Sequence, residues 1–395
     1  MTFNLEFKFN YIILNTFDII ATTLFGLEEL LASELRELGV TDIEILNRAV
    51  RYKGDLALLY KSNYSLRTAL KILKPIASFD ARNEQKLYEE IRKIRWDEFI
   101  TPKQTLAIDG TTSGEVFTHS KYVALKSKDA IVDQFRDKYG VRPSVDTENP
   151  DLQINIHIYN TTCSVSLDSS GTNLGKRGYR QSMFIAPLSE VLAAGIILLS
   201  GWDKQCNFLD PMCGSGTIPI EAALIAGNIP PGRLRHFGFE KWNDFNSELW
   251  YKIKKEADSK IIPFKFKITG KDNDKEAIEV SIQNAKRAGM ENMITFEQQD
   301  FLKSDSFVDN TILILNPPYG ERLKEKEEII PFYKEIGTKL KHFYMGCDAW
   351  IISGNLEAIK FIGLKPSRKI KIFNGPIECK LHKYELYKGS NKSNK

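Results

Sequence analysis

The sequence predicts an α/β chain: a mostly parallel, doubly wound sheet in the C-terminal half, preceded by smaller α+β units. Three observations lead there. From Cys206 onward, short apolar strands alternate with helical stretches, the pattern of a parallel sheet covered on both faces. Upstream of Asp168, strands and helices follow one another in a mixed order that begins β-α-β-β-α. Between Ser169 and Pro187 the texture changes to SGTNLGKRGYRQSMFIAP, rich in glycine, basic residues and turn formers, which marks the boundary. At 395 residues there is room for two or three cores.

Taken in order, FDIIA (Phe17–Ala21) reads as a strand, and GLEELLASELRELGV as an amphipathic helix ending near Gly39. IEILNRAVRYKG follows as strand, turn and strand, and DLALLYKSNYSLRTALKILKP as a helix. This start is that of a ferredoxin-like unit, residues 17–60. A further α+β unit, residues 61–168, contains the helix NEQKLYEEIRKIRW, the strand TLAIDG, the helix SKYVALKSKDAIVDQFRDKYG and a final hairpin of alternating polarity. In the C-terminal unit, residues 169–388, the helix LSEVLAAGIILLSGW precedes the strands QCNFLD, FKFKITGKD, ITFEQQD, TILILN and AWIISG, and a hairpin (KIKIFNGP, CKLHKYELY) adds an antiparallel edge. Residues 1–16 read as an extension, and the polar tail 389–395 as disordered.

Composition narrows the classes. Apolar residues make up 42% and charged residues 27% of the chain, with a net charge of +4, as in an ordinary globular protein. Five cysteines lack any C-x-x-C pair, so neither a disulfide framework nor a zinc site is expected, which points to a reducing cytoplasm. No signal-peptide pattern opens the chain, and no stretch nears 18 uninterrupted apolar residues, so no membrane partner is expected.

FLDPMCGSGTIPIEAALIA combines a strand, Asp210, a turn with Gly214 and Gly216, and a helix. Glycines let a backbone approach a ligand, and a new helix offers it free N–H groups. The dinucleotide fingerprint fails for want of a third glycine, and no G-K-[ST] makes it a P-loop. The next strand ends at Asp272, whose carboxylate offers two acceptors to a vicinal diol. Asp274 competes for that role, but suits the cap of the following helix better. The segment NIPPGRLRHFGFEKWNDFNSELW separates glycine turn and Asp272 by far more than the usual ~20 residues and reads as an insertion. The third strand ends at Asp300, placed to accept from an adenine amino group or to cap a helix.

The fourth strand ends in Asn316-Pro317-Pro318-Tyr319. The oxygens of an Asn side chain and of the first proline can both accept from one exocyclic NH2, orienting a delocalised lone pair and dispersing the charge that develops. Two prolines stiffen the loop, and a tyrosine offers an extruded base a stacking face worth about 1–3 kcal/mol. No histidine sits near a motif, so no general base is expected.

DPMCGSGT resembles the first motif of class I S-adenosylmethionine-dependent methyltransferases, and NPPY that of amino-group methyltransferases. With the extension GERL, the loop LGKRGYR…APL and the insert IPPGRLRHFGFEKW, the chain resembles the THUMP-domain RNA guanine-N2-methyltransferases over about half its length. The resemblance implies a ferredoxin-like domain, a THUMP RNA-binding domain and a class I (Rossmann-like) methyltransferase domain acting on ribosomal RNA or tRNA. It also implies that S-adenosyl-L-methionine is held by Asp210, Pro211 and Cys213, by Gly214, Ser215, Gly216 and Thr217, and by Asp272, Asn273, Asp300, Phe301 and Asn316. Tyr179 and Pro187 would close that pocket, and Arg177, Tyr179, Arg180 and Arg322 would meet RNA. Asn316, Pro317, Pro318 and Tyr319 would be the catalytic set, with no metal.

From Lys61 to Arg142, 16 Lys/Arg stand against 11 Asp/Glu, and the basic residues interleave with aromatics in KSNYSLR, RKIRW and HSKYVALK. Such a surface suits structured RNA, held through phosphates and shape. Two other readings stay open: an adenine-N6 DNA methyltransferase, which shares NPPY, and a non-catalytic RNA-binding factor. The absence of a separate target-recognition domain speaks against the first, and the intact motifs against the second.

Overall fold

The computed structural model describes residues 16–180, 188–304, 310–320 and 325–387, of which 325–327 by backbone only. The extension up to residue 15 and the tail from 388 lie outside them. The described chain divides into two units. The first holds the chain up to Thr23, Leu31–Leu174 and Arg235–Glu256; the second holds Leu24–Leu30, Gly175–Leu234 and the chain from Ala257.

In the first unit, β1 (Phe17–Thr23), helix α1 (Glu28–Glu37), β2 (Ile43–Leu46), β3 (Ala49–Gly54) and helix α2 (Leu56–Ser65) follow the predicted order. Asp55 caps α2 by accepting from Leu58 N. The helix predicted to run on to Pro75 stops at Ser65, and β4 (Ala69–Asp80) takes over. Apolar residues at 69, 70, 72 and 73 fit either period, and pairing with β1 and with β8 decides the matter. Pro75 adjoins a register shift in the β4–β8 ladder, where the missing N–H is tolerated. Then come α3 (Glu84–Lys93), β5 (Thr105–Ser113), α4 (Ser120–Tyr139), the two-residue β6 (Ser144–Val145), and the hairpin β7 (Leu152–Tyr159) and β8 (Thr162–Asp168). All eight strands form one sheet of order β2-β3-β1-β4-β8-β7-β5-β6.

The insertion returns to this unit. Arg235 donates to the carbonyls of Ser170, Thr172 and Asn173 at 3.2, 2.6 and 2.8 Å. Phe239 stacks on Tyr60 at 4.2 Å between centroids, and Trp250 meets Tyr60 and Tyr64 edge-on. Residues 235–256 therefore share a core with residues more than a hundred positions upstream.

In the second unit, α5 (Glu190–Ser200) leads into β9 (Asn207–Asp210) and α6 (Thr217–Ala226). After α7 (Ser247–Asp258), which lies in the first unit up to Glu256, come β10 (Ile268–Asp272), α8 (Lys275–Ala288), β11 (Ile294–Gln298), β12 (Thr311–Leu315), α9 (Glu325–Phe343), β13 (Asp348–Ser353), β14 (Arg368–Asn374) and β15 (Ile377–Glu385). The strand predicted from Phe264 starts at Ile268, because Phe264 packs edge-on against Trp202 instead. The sheet order is β11-β10-β9-β12-β13-β15-β14, with β15 antiparallel to β13 and β14 at the edge. Every residue of β12 is buried: Ile312 and Ile314 enter the core on one face, Leu313 and Leu315 the core on the other.

Candidate functional site

Four strand ends of the second unit open on one cavity of about 690 Å3, within the range usual for small-molecule sites. At the end of β9, Asp210 is fully buried and accepts from Met212 N at 3.1 Å. Burial pushes its carboxyl well above the carboxylate range; the Met212 N–H opposes this, and the Asp272 carboxylate adds to it. The turn Pro211–Gly216 follows. Gly216 sits at φ +80°, and a Cβ there would lie 2.9 Å from that of Ser281, so the turn needs glycine on both counts. Helix α6 starts at Thr217 with no side-chain cap, leaving its first N–H groups for a ligand.

Asp272, at the end of β10, accepts from Gly214 N at 2.9 Å and from Asp274 N at 3.0 Å, so one carboxylate fixes the glycine turn and faces the cavity. Asp274 caps α8 by accepting from Glu276 N. Asp300 accepts from Leu302 N at 2.9 Å, pairs with Lys303 at 3.2 Å and also lines the cavity, so it turns the chain and reaches the site at once. Asn273, Phe301, Asn316 and Pro318 complete the predicted wall. Burial and the neighbouring carboxylates of Asp210 and Asp272 push the Cys213 thiol up, which favours its protonated form.

A cavity with four carboxylates, one of them buried and pushed up by that burial, suits a cationic ligand with hydroxyl and amino donors. S-adenosylmethionine has that chemistry: a sulfonium and an ammonium for the acidic wall, a ribose diol for Asp272 and an adenine amino group for Asp300.

The basic loop reads differently from its prediction. Arg177 is 2% exposed and pairs with the fully buried Glu221 of α6, Nε to Oε1 at 3.4 Å. Tyr179, 1% exposed, donates to the same Oε1 at 3.3 Å. Both side chains are turned inward in this structure, against the expectation that they face RNA, and Tyr179 is not among the described residues that line the cavity. Arg180 donates to Thr217 Oγ1 at 2.7 Å and to the Leu188 carbonyl at 3.0 Å, and lies 3.7 Å from Glu190. Its guanidinium braces the first residue of α6. The glycine and arginines in KRGYR signal a functional loop, but only the fold shows that Arg177 and Arg180 have internal partners. Pro187 and Arg322 lie outside the described residues.

The NPPY loop also departs from expectation. Asn316 and Pro318 line the cavity, while neither Pro317, which is buried, nor Tyr319 does so among the described residues. The Tyr319 ring is half-buried beside Gly354, and its hydroxyl donates to Asn316 Oδ1 at 2.9 Å. Besides Phe301, the cavity wall carries a second apolar ring, Phe332 of α9, which no motif marked. Sequence reasoning also missed the residues that hold the loop: Asn355 Nδ2 donates to the Tyr319 carbonyl at 2.9 Å, and the Tyr333 hydroxyl reaches the Pro318 carbonyl at 3.3 Å and Ser353 Oγ at 2.6 Å.

A seven-stranded sheet with this order and an acidic cavity beside its glycine turn define a class I S-adenosylmethionine-dependent methyltransferase. Comparison with known proteins places it further. Residues 177–383 match the RMKL-like methyltransferase domain, 81–168 the THUMP domain and 18–73 the RlmL ferredoxin-like domain, and the chain belongs to the RMKL-like methyltransferase family. It is 40% identical over 373 residues, 93% of this chain and 96% of the relative, to a Synechocystis sp. protein named as an RNA methyltransferase. It is 37% identical over 381 residues to the ribosomal RNA large subunit methyltransferase K/L of Syntrophotalea carbinolica. That match covers 93% of this chain but only 53% of the relative, so the chain spans about half its length. Among solved structures, a methyltransferase complexed with S-adenosylhomocysteine superposes with a TM-score of 0.85 at 30% identity, covering 95% of this chain and all of that one. A Clostridium difficile methylase superposes with a TM-score of 0.85 at 32% identity, covering 96% and 100%.

No helix among the described residues is long and apolar enough to cross a membrane, and no group of three metal-ligating side chains occurs among them.

Proposed function

We propose that this protein transfers a methyl group to the exocyclic N2 of a guanine in structured RNA, ribosomal RNA or tRNA. The observation that carries the reading is Asn316, an amide acceptor set by two prolines on the wall of the acidic cavity. Bound S-adenosylmethionine supplies an electrophilic methyl on a sulfonium. Asn316 Oδ1 and the Pro317 carbonyl accept from the guanine NH2, turn its lone pair toward the cavity and stabilise the positive charge growing on N2. That charge makes an N2 proton acidic, so it leaves without a general base of tuned pKa. Phe332 and Pro318 give the extruded base an apolar wall that excludes water. Asp272 holds the cofactor's ribose and Asp300 its adenine.

Support for RNA comes from the THUMP match over 81–168, the names of the two relatives and the basic balance of the middle unit. The relative named for large-subunit ribosomal RNA makes that RNA the first to test. The decisive experiment is mass spectrometry of nucleosides from a deletion strain. Loss of N2-methylguanosine from ribosomal RNA or tRNA is expected. Unchanged RNA with N6-methyladenine missing from DNA would overturn the reading. Asn316→Ala should reduce transfer by at least about a hundredfold, the scale of a lost transition-state acceptor, with cofactor affinity near normal.

A further inference from the structure

We infer that Tyr319 acts through its hydroxyl, as a positioning residue that fixes which end of the Asn316 carboxamide faces the substrate. The inference rests on the acceptor role of Asn316 proposed above. An Asn side chain presents an acceptor or a donor depending on a half-turn about its last bond, and the two orientations are nearly equal in size. Only the oxygen can receive a guanine NH2; the amide nitrogen would set donor against donor. Something must therefore choose the orientation. Asn316 Oδ1 accepts from the Tyr319 hydroxyl at 2.9 Å, and a carbonyl oxygen has a second lone pair to offer.

The edge hairpin lies beside that hydroxyl. Asn374 acts to lower its pKa against the larger effects of burial and Cys379, and the Cys379 thiol lies 3.9 Å from its oxygen and 3.6 Å from the Ile377 carbonyl. The hydroxyl has one proton to give, and Asn316 Oδ1 is the acceptor it meets at 2.9 Å. Burial holds the phenol far above its ordinary range, so it stays a donor at every working pH. The ring is placed for this task. A Cβ on Gly354 would lie 2.7 Å from the ring, so only glycine lets the tyrosine lie down on β13's end. A ring held that close to the backbone is good provision for a fixed hydroxyl.

The test separates ring from hydroxyl. Wild type, Tyr319→Phe and Asn374→Ala are assayed with labelled S-adenosylmethionine on ribosomal RNA and tRNA isolated from the deletion strain. Tyr319→Phe keeps the ring, and is expected to lower kcat about tenfold with KM for RNA, cofactor Kd and Tm within about twofold or 2 °C of wild type. Asn374→Ala should shift kcat the same way by less, and the double variant should be no worse than Tyr319→Phe, as for groups acting in series. Wild-type kcat in Tyr319→Phe would mean that only the ring matters, and a parallel loss of cofactor affinity or Tm that the contact is structural; either overturns the inference. An RNA-independent readout is the side-chain NH2 signal pair of Asn316 in selectively labelled protein. It should be sharp in wild type and broadened in Tyr319→Phe, and identical spectra would again overturn the inference. Failure of wild type to methylate either RNA would instead strike the guanine reading while those spectra still decide the hydroxyl's role.

Discussion

Glu221→Gln isolates what holds the cofactor turn from beneath. Glu221 is fully buried and Arg177 2% exposed, so the pair has left water. Taking one partner from a buried pair costs about 3–5 kcal/mol, because the survivor keeps its desolvation cost without its counter-charge. The contacts are long, 3.4 and 3.5 Å, which puts the expectation near the lower end, about 3 kcal/mol. Glutamine keeps the shape and an acceptor for Tyr179, so the change is one of charge. For a unit of roughly 200 residues, 3 kcal/mol lowers Tm by about 6–12 °C. Thermal unfolding is followed by circular dichroism without cofactor, since bound ligand would mask the loss by mass action. Arg177→Met with Glu221→Leu removes both charges and should recover most of the lost stability. A Glu221→Gln variant within about 2 °C of wild type, or a double variant as unstable as the single, would refute the reasoning.

Asp210→Asn should weaken cofactor binding at least about tenfold, read by calorimetry, by removing a buried carboxylate meant for a cation. Its folded pKa is raised above the ordinary 3.8, so its stabilising contribution is present below that value and is lost as pH rises through the folded one. Relative to wild type, the ligand-free variant should therefore gain stability between pH 4 and pH 8, measured by urea unfolding. Asp272→Asn should raise the cofactor Kd about tenfold or more through the loss of a charge-assisted acceptor. His382, 6% exposed, is lowered from 6.5 to about 4 by burial and then by Lys369 and Lys380. It stabilises the fold fully above pH 6.5, and on the order of 2 kcal/mol of that is lost as pH falls toward 4, a loss that His382→Gln should abolish in the difference between variant and wild-type urea curves.

The parallel sheet was legible because buried strands such as TILIL are unbroken apolar runs that helices separate, and β12 lies buried along its whole length. The cofactor turn and the caps were legible because glycine at positive φ and aspartate before a helix are local chemistry, as at Gly216 and Asp274. What escaped was set by distant partners. Residues 69–80 fit helix or strand until β1 and β8 claim them. Arg177 and Tyr179 look like a basic surface loop until Glu221, 44 and 42 residues on, buries them. Phe332 sits in a helix with no motif, and only the fold turns it to the cavity.

The sheet order explains why two motifs 106 positions apart serve one site. Strand order reverses between β9 and β12, which are neighbours although β10 and β11 intervene in the chain. Helices leave in opposite directions on either side of that reversal, so the carboxyl ends of these two strands bound a crevice. Asp210 ends one and Asn316 follows the other, with Leu209 paired to Leu313 in the ladder between them. A cationic group donor held at the glycine turn and an amine held at the asparagine are thus brought within one cavity by backbone pairing alone. The loop residues then have only the finer task of orientation, and that is where Tyr319, Asn355 and Tyr333 act on the NPPY turn. Division of labour of this kind predicts separable defects: changes at Asp210 or Asp272 should appear in cofactor affinity, and changes at Tyr319 or Asn355 in turnover. Equal losses of affinity and turnover across both sets would mean that the crevice behaves as one mechanical unit.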